Sequence, residues 1–342
     1  MSSDRMPLVD SLKALSSQLI VLHHLAFYGP MSDAAHLLMP SLIDWLYDHA
    51  RAAVQVFLVI GGFLAARGLA PDGKSRVVRP LRLILRRYRR LALPYFFALL
   101  VCIVMAALVR PWLHDGSVPH SPVLAQLGAH ALLLHDVLGH EALSAGVWYV
   151  AIDFQLFALF VFILWGSALL ARRSPLLSNV ALWLVGSLAL ASLFYFNRHE
   201  SWDSWALYFF GAYALGAFAW WASDEDSPPA MLGIVALLTG AALVVEYRER
   251  ILVALVVALL LGTARRTGKL AHWQTPRPLL QLGQMSYSVF LIHFPVCLLI
   301  NALWTHYLPA DPLLGLFGMI VAWGASMLAG SAMYRWVESR IA

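Results

Sequence analysis

The first apolar run of the chain carries residues able to bind an anion and to transfer a proton. Lys13 and His24 are eleven positions apart, which on an α-helix places them within about 20° of the same face and about 16 Å apart along the axis. Asp10 projects within about 40° of His24 on that helix. This polar face suits an extended anionic ligand, with Lys13 near its charged end and His24 near its reactive end. The alternative is that Lys13 reaches to the surface and His24 makes a packing contact.

A basic segment, residues 86–90, holds four arginines in five positions directly before another apolar run. Arg86 and Arg90 lie one helical turn apart on the same face, so the two guanidinium groups can grip phosphate oxygens together. Arg87 and Lys13 could add further positive charge to such a site. The alternative is an ordinary cationic anchor at the cytoplasmic face of a membrane.

A carboxylate at the depth inferred for His24 lies in a later apolar run. Asp153 is one to two helical turns inside that run, close to Gln155. A carboxylate there can hold an imidazole in one tautomer and stabilise its protonated form, or it can hydrogen-bond between helices. His293 lies in the middle of another run next to a proline, and such prolines often mark cavities in membrane helices.

The composition places these residues in a membrane. Of 342 residues, 61% are hydrophobic and only 13% are charged, whereas an ordinary soluble domain carries about 25% charged residues. The mean hydropathy is +0.71. These values exclude a single soluble globular enzyme and a disordered protein. Because an ionisable side chain in a membrane helix is costly unless paired or hydrated, each of the residues above requires a role.

Metal, nucleotide and nucleic-acid chemistry find little support. Cys102 and Cys297 lie in apolar runs, so neither a disulfide framework nor a thiolate metal cluster is expected. His130, His135 and His140 recur every five residues, about 140° apart on a helix, which does not present two metal ligands on one face. The sequence contains no Walker loop, Gly-x-Ser-x-Gly elbow or dinucleotide fingerprint. No metal is predicted, and no nucleic-acid partner is predicted.

Ten apolar runs are candidates to cross a bilayer of about 30 Å. They lie near 8–28, 52–70, 91–109, 147–170, 176–196, 205–222, 230–246, 250–264, 283–304 and 313–335. With the N-terminus inside, nineteen of the 24 Lys and Arg residues fall on the cytoplasmic side. The sequence therefore predicts an all-α polytopic membrane protein with about ten transmembrane helices and both termini in the cytoplasm. A re-entrant or interfacial helix is predicted near 122–138, and residues 1–342 are predicted to form one membrane-embedded domain.

Five segments, in order along the chain, resemble the acyltransferase-3 family of integral membrane acyltransferases. They are Val9 to Ala14 with His24, Ile60-Gly61-Gly62-Phe63-Leu64, Arg86-Arg87-Tyr88-Arg89-Arg90 with Pro94, Trp148 to Gln155, and Ser286-Tyr287-Ser288 with His293. The resemblance covers nearly the whole chain, from Val9 to Glu338. The family usually has Ser where Gly61 stands and Glu where Asp153 stands.

The resemblance implies a membrane enzyme that moves an acyl group, expected to be acetyl, from cytoplasmic acyl-CoA to a hydroxyl of an envelope carbohydrate, glycolipid or related acceptor. His24 would be the general base, oriented by Asp153. The residues expected to bind the acyl-CoA phosphates are Lys13, Arg86, Arg87 and Arg90. The passage for substrate is expected to be lined by Asp10, Gln155, Tyr287 and His293. The implied location is the bacterial cytoplasmic (inner) membrane, as a multi-pass protein.

Two other functions remain open at this level. Multi-span proteins with charges near the midplane often move solutes, so a transporter or flippase is one alternative. A non-catalytic subunit for polysaccharide export is the other. The sequence shows no inverted repeat, and its cations cluster at the start of one helix, which argues against transport. Both a homo-oligomer and an assembly with polysaccharide-export partners are compatible with the sequence.

Overall fold

Helices alone form the secondary structure of the residues that the computed structural model describes, which are 6–174, 177–224, 227–228 and 230–340. Helical residues account for 78%, and the predicted all-α class is confirmed. The α-helices in these ranges are α1 (Pro7–Phe27), α2 (Pro30–His36), α3 (Pro40–Asp48), α4 (Val54–Leu69), α5 (Pro80–Val109), α6 (Leu124–Ala131), α7 (Val147–Ala171), α8 (Val180–Phe194), α9 (Ala206–Ala222), α10 (Ala230–Val245), α11 (Glu249–Arg266), α12 (Lys269–His272), α13 (Arg277–Tyr307) and α14 (Pro312–Trp336).

Each of the ten predicted apolar runs coincides with a helix, and the start of the 176–196 run lies outside the described residues. Within the described ranges, six helical segments are long and apolar enough to cross a membrane. These are Ala50–Leu69, Pro80–Val109, Val147–Ala171, Val180–Arg198, Arg277–Tyr307 and Pro312–Arg340. α9 and α10 are apolar but shorter. Several membrane-spanning helices are therefore present, and the count of ten crossings stays a prediction.

One helix begins well before the apolar run that predicted it. α5 starts at Pro80, so the arginines at 86–90 belong to its first turns. Arginine favours helices almost as strongly as leucine, and proline at the first helical position lacks only an N–H that would be unpaired. α14 also starts with a proline, and the Asp311 carboxylate accepts hydrogen bonds from the amides of Leu313 (2.9 Å) and Leu314 (3.0 Å), a standard N-cap.

The predicted helix near 122–138 is present but shorter. α6 ends at Ala131, where Leu133 adopts a left-handed backbone conformation with φ of 56°. The Leu134 amide then donates to the Ala129 carbonyl at 3.0 Å. A left-handed residue just after the last turn commonly ends a helix. Leucine seldom adopts this conformation, so the end of α6 could not be anticipated from sequence.

Contacts divide the chain into two units. The first comprises Met1–Leu12, Val54–Tyr88 and Ala151–Pro276. In it α4 packs backbone to backbone on α9: a Cβ atom added at Gly62 would overlap the Tyr213 carbonyl, and one added at Gly216 would overlap the Val59 carbonyl. Small residues allow this close approach between membrane helices.

The second unit comprises Lys13–Ala53, Arg89–Val150 and Arg277–Ala342. Its core joins α1, α2, α3, α13 and α14 through buried apolar side chains that include Val21, Met31, Val289, Trp304 and Met319. The prediction of one domain over residues 1–342 is not tested by this division.

Candidate active site

Two buried histidines from α1 and α13 form a hydrogen-bonded pair in the second unit. The Nδ1 atom of His24 lies 2.7 Å from Nε2 of His293, and the two ring planes are within 7° of parallel. His24 is 8% exposed and His293 is 1% exposed. The sequence assigned these residues to a catalytic role and to a substrate passage, respectively, and the structure joins them directly.

The hydrogen-bond chain determines which nitrogen of each ring carries hydrogen. Nδ1 of His293 faces the Val289 carbonyl at 3.3 Å, and a carbonyl can only accept. Nδ1 of His293 therefore carries a hydrogen, and its neutral ring presents the lone pair of Nε2 to His24. The Nδ1 of His24 must then donate, which leaves the lone pair of His24 on Nε2. In this tautomer His24 is a neutral imidazole with a basic nitrogen.

Aromatic and cationic groups surround the imidazole pair. The rings of His23 and Tyr28 lie 5.1 and 5.6 Å from that of His24, measured between centroids. The guanidinium of Arg51 acts electrostatically on His24 and stacks 5.6 Å over the Trp148 ring. Sequence reasoning gave Arg51 no role, because a single arginine before a helix has no distinguishing pattern.

A second polar cluster in the same unit centres on Glu338. The Ser288 hydroxyl donates to its carboxylate at 2.6 Å, and the charges of Lys13 and Arg90 both act on that carboxylate. Two of the four predicted phosphate-binding residues thus act electrostatically on one carboxylate. The sequence predicts that Glu338, at the end of the last apolar run, pairs with a nearby arginine, but it gives no sign that Ser288 and Lys13 also act on this carboxylate.

Tyr287, predicted to line a passage, donates its hydroxyl hydrogen to the Leu91 carbonyl at 3.0 Å. That carbonyl lies three residues before Pro94 in α5. The contact fixes Tyr287 between α13 and α5 within the second unit.

In the first unit, Arg87 and Asp153 form an ion pair with 2.5 Å between Nη2 and Oδ2. The side chain of Asp153 is 5% exposed and that of Arg87 is 30% exposed. Arg87 also lies 5.4 Å over the Phe157 ring. A Cβ atom added at Gly61 would lie 3.3 Å from Oδ1 of Asp153, so the glycine where relatives usually have serine faces this carboxylate.

The sequence assigned Arg87 to a phosphate site and Asp153 to the orientation of His24. The ion pair gives each of these side chains a partner within the first unit, whereas the Nδ1 atom of His24 is bonded to His293. The predicted Asp153–His24 contact stays a prediction. Asp10 and Gln155 are half-buried on α1 and α7, and Arg86 is exposed on α5.

The model of a family described as an acyltransferase domain, acyltransferase-3, matches residues 7–330. No curated protein and no solved structure matched the chain. Because the matched range covers nearly all of the sequence, the chain belongs to the acyltransferase-3 family and is a membrane acyltransferase.

Proposed function

We propose that this protein transfers an acyl group, with acetyl as the expected group, from acyl-CoA to a hydroxyl of an envelope carbohydrate or glycolipid. The observation that carries the proposal is the buried His24–His293 pair. Transfer of an acyl group to an alcohol needs a base for the hydroxyl proton. The pair supplies a neutral imidazole whose basic nitrogen is set by its partner.

In the proposed reaction the acceptor oxygen attacks the thioester carbonyl while Nε2 of His24 takes the hydroxyl proton. The imidazolium that forms keeps donating from Nδ1 to Nε2 of His293, which stabilises the new charge. When the carbon–sulfur bond breaks, the thiolate leaves with the electron pair and His24 returns the proton to it. Arg51, whose charge acts on His24, is proposed to stabilise the negative oxygen of the tetrahedral intermediate.

For the donor, we propose that Lys13 and Arg90 bind phosphate groups of acyl-CoA. Support comes from their position around one carboxylate, Glu338, because two cations facing a single acid retain attraction for a polyanion. Arg86 is exposed on the same helix as Arg90 and is proposed to add a further contact. Arg87 forms an ion pair with Asp153. We therefore propose that it contributes less to binding of the acyl-CoA phosphates than Lys13 and Arg90 do.

The proposed setting is the bacterial cytoplasmic membrane, with about ten crossings and both termini inside. The bias of basic residues supports this orientation. It places Lys13 toward the cytoplasm, where acyl-CoA is made, and His24 deeper in the membrane. The acceptor hydroxyl is then expected to approach from the outer side.

The proposal is tested with purified protein in detergent, radiolabelled acetyl-CoA and an envelope glycan fraction as acceptor. Release of free thiol and transfer of label are expected to occur together without any ion gradient. The His24→Ala variant is expected to lose about 10³-fold in turnover. His36→Ala is the matched control, because its imidazole lies on the surface paired with Asp44. Normal turnover by a folded His24→Ala protein would refute the role of His24, and solute movement without thiol release would favour a transporter.

A further inference from the structure

A cavity of about 720 Å³ lies within the first unit, between α8, α9 and α10. Its volume falls in the range of small-molecule sites. Its apolar walls include Leu190 and Leu193 of α8, Phe218 and Trp221 of α9, and Ile234 and Leu238 of α10. None of the described residues that line it is among those assigned to acyl transfer.

The lining is apolar along most of its length and polar at one end. Asn179 and Leu193 bound it along α8, which corresponds to about 21 Å and exceeds one leaflet of a hydrocarbon core about 30 Å thick. The polar end is formed by Asp72, Asn179, Asp224 and Ser227, all at helix ends or in loops. This is the shape of a site for an amphiphile with one long chain.

Positive charge lies directly behind the polar end. Arg265 of α11 pairs with Asp224 at 2.7 Å, and Arg266 donates to the Ser227 carbonyl at 3.1 Å. The Nη1 atom of Arg266 is buried and has no hydrogen-bond partner among the described residues. Neither arginine lines the cavity. The charge of Arg265 offsets that of the lining Asp224, so the polar end can accept a lipid head group.

The apolar part of the cavity is open at its side. Trp183 of α8 is 74% exposed and Ile234 of α10 is 54% exposed, although both line it. α8 belongs to a candidate membrane span, so in a bilayer these side chains face hydrocarbon. A lipid chain can enter such an opening, whereas water gains nothing from an apolar wall.

We propose that this cavity binds a glycerophospholipid of the membrane, with one acyl chain between α8, α9 and α10 and the head group at the polar end beside Asn179 and Ser227. The bound lipid fills the space between α8 and α10. The bound lipid takes no part in acyl transfer. The proposed lipid site therefore does not depend on the identity of the proposed substrates.

The chain offers a matched pair of glycine variants for the test. A Cβ atom at Gly186 would lie 3.6 Å from the Phe218 ring, in ordinary van der Waals contact, so Gly186→Leu extends into the cavity without a backbone clash. Gly233→Leu on α10 makes the same change where a Cβ atom meets nothing within 4 Å. Gly233 does not line the cavity, so this variant controls for added hydrophobicity and helix propensity.

Delipidated protein in detergent is titrated with long-chain phosphatidylglycerol, and binding is followed by native mass spectrometry. We expect wild type and Gly233→Leu to bind with equal affinity and Gly186→Leu to bind at least about tenfold more weakly. Inorganic phosphate alone is not expected to compete, because the acyl chain supplies most of the attraction. Equal binding by Gly186→Leu and Gly233→Leu would overturn the proposal.

A photoreactive phospholipid with a diazirine in its acyl chain provides a test that needs no variant. Cross-links to the wild type are expected on peptides that cover residues 182–193 and 231–239, and excess unlabelled phosphatidylglycerol is expected to remove them. Labelling spread evenly over all lipid-facing helices, without competition, would show that the cavity selects no lipid and would overturn the proposal.

Discussion

Nδ1 of His24 and Nε2 of His293 lie 2.7 Å apart, in a hydrogen bond that joins α1 to α13. The bond gives the candidate base a partner other than the carboxylate that the sequence suggested. Because His293 is itself bonded to the Val289 carbonyl, the orientation of His24 depends on the backbone of α13. The following predictions separate this arrangement from its alternatives.

His293→Ala is expected to lower kcat about 10²-fold, with a smaller change in the KM of either substrate. His24 would remain, but its ring would lose the acceptor that keeps the hydrogen on Nδ1 and stabilises the imidazolium. His293→Gln should recover part of the rate, since a glutamine oxygen can accept the same hydrogen bond. Steady-state kinetics on folded protein measures both effects.

The control for this series is His306→Ala, which removes an exposed imidazole from the same helix. It should leave kcat unchanged. If His293→Ala and His293→Gln lose the same activity as each other, or if both change only KM, His293 does not position His24.

The Arg87–Asp153 pair predicts strongly non-additive effects on stability. Asp153→Leu alone would leave a partly buried arginine without its carboxylate, and Arg87→Leu alone would leave a buried carboxylate without its cation. Each single variant is expected to lower the free energy of unfolding by about 3 kcal/mol, because it leaves an uncompensated charge. The double variant removes both charges and is expected to lower it much less. Unfolding in detergent, followed for all four proteins, gives the coupling free energy. Additive losses in the double variant would show that the two side chains are energetically independent.

Lys13 and Arg90 are predicted to act on donor binding alone. Lys13→Gln and Arg90→Gln should each raise the KM for acetyl-CoA about tenfold, because each removes a charge-assisted contact to phosphate. Arg79→Gln is the control, as an exposed cation that the positive-inside rule explains. The KM for S-acetyl-pantetheine, which lacks the phosphates, should be the same in all four proteins. A KM that rises equally for both donors would exclude phosphate binding by these residues.

Two glycines of α4 predict opposite effects of the same substitution. Gly62→Ala is expected to destabilise the protein by 1–3 kcal/mol or more, roughly the range for overpacked cores, because the added carbon overlaps the Tyr213 carbonyl. Gly68→Ala meets nothing within 4 Å and should stabilise by up to about 1 kcal/mol through helix propensity. Thermal unfolding of both variants in one detergent measures the difference in stability. Equal melting temperatures would contradict the packing of α4 on α9.

The helices were predictable from sequence because long apolar runs have few alternatives to the helix in a membrane. The ends of the helices were harder to predict. The left-handed conformation of Leu133, which ends α6, is one that leucine seldom adopts. The four arginines at 86–90 were read as the flank of a span, yet they lie inside α5, since helix propensity continues past the apolar run.

The partners of the polar residues could not be predicted in the same way. A helical projection shows which face His24 occupies but not which helix packs on that face. Depth in the membrane suggested Asp153 as a partner of His24, and nothing in the sequence indicated the hydrogen bond to His293, which is 269 positions away. For the same reason Arg87 and Asp153 received separate roles although they form one ion pair. Relative rotation and pairing of helices depend on packing along their whole length.

The buried His135 predicts a loss of stability in mild acid. This residue lies outside the six candidate spans and is fully buried. Burial, with the neighbouring His130 and His140, lowers its pKa to about 3, although the Asp136 carboxylate lies 3.5 Å away. The unfolded chain, with a pKa of 6.5, therefore binds a proton between pH 6.5 and 3 that the folded chain does not.

Stability should accordingly be complete above about pH 6.5 and fall as the pH decreases, by about 2 kcal/mol between pH 7 and pH 5, at roughly 1.4 kcal/mol per pH unit. His135→Phe keeps an aromatic ring against His130, whose centroid lies 4.1 Å away, but cannot titrate. Between pH 7 and pH 5, the free energy of unfolding of wild type should therefore fall by about 2 kcal/mol more than that of His135→Phe. Chemical unfolding in detergent at pH 7 and pH 5 measures the difference. Identical pH dependence in the two proteins would mean that His135 titrates alike in the folded and unfolded states, which a solvent-excluded imidazole cannot do.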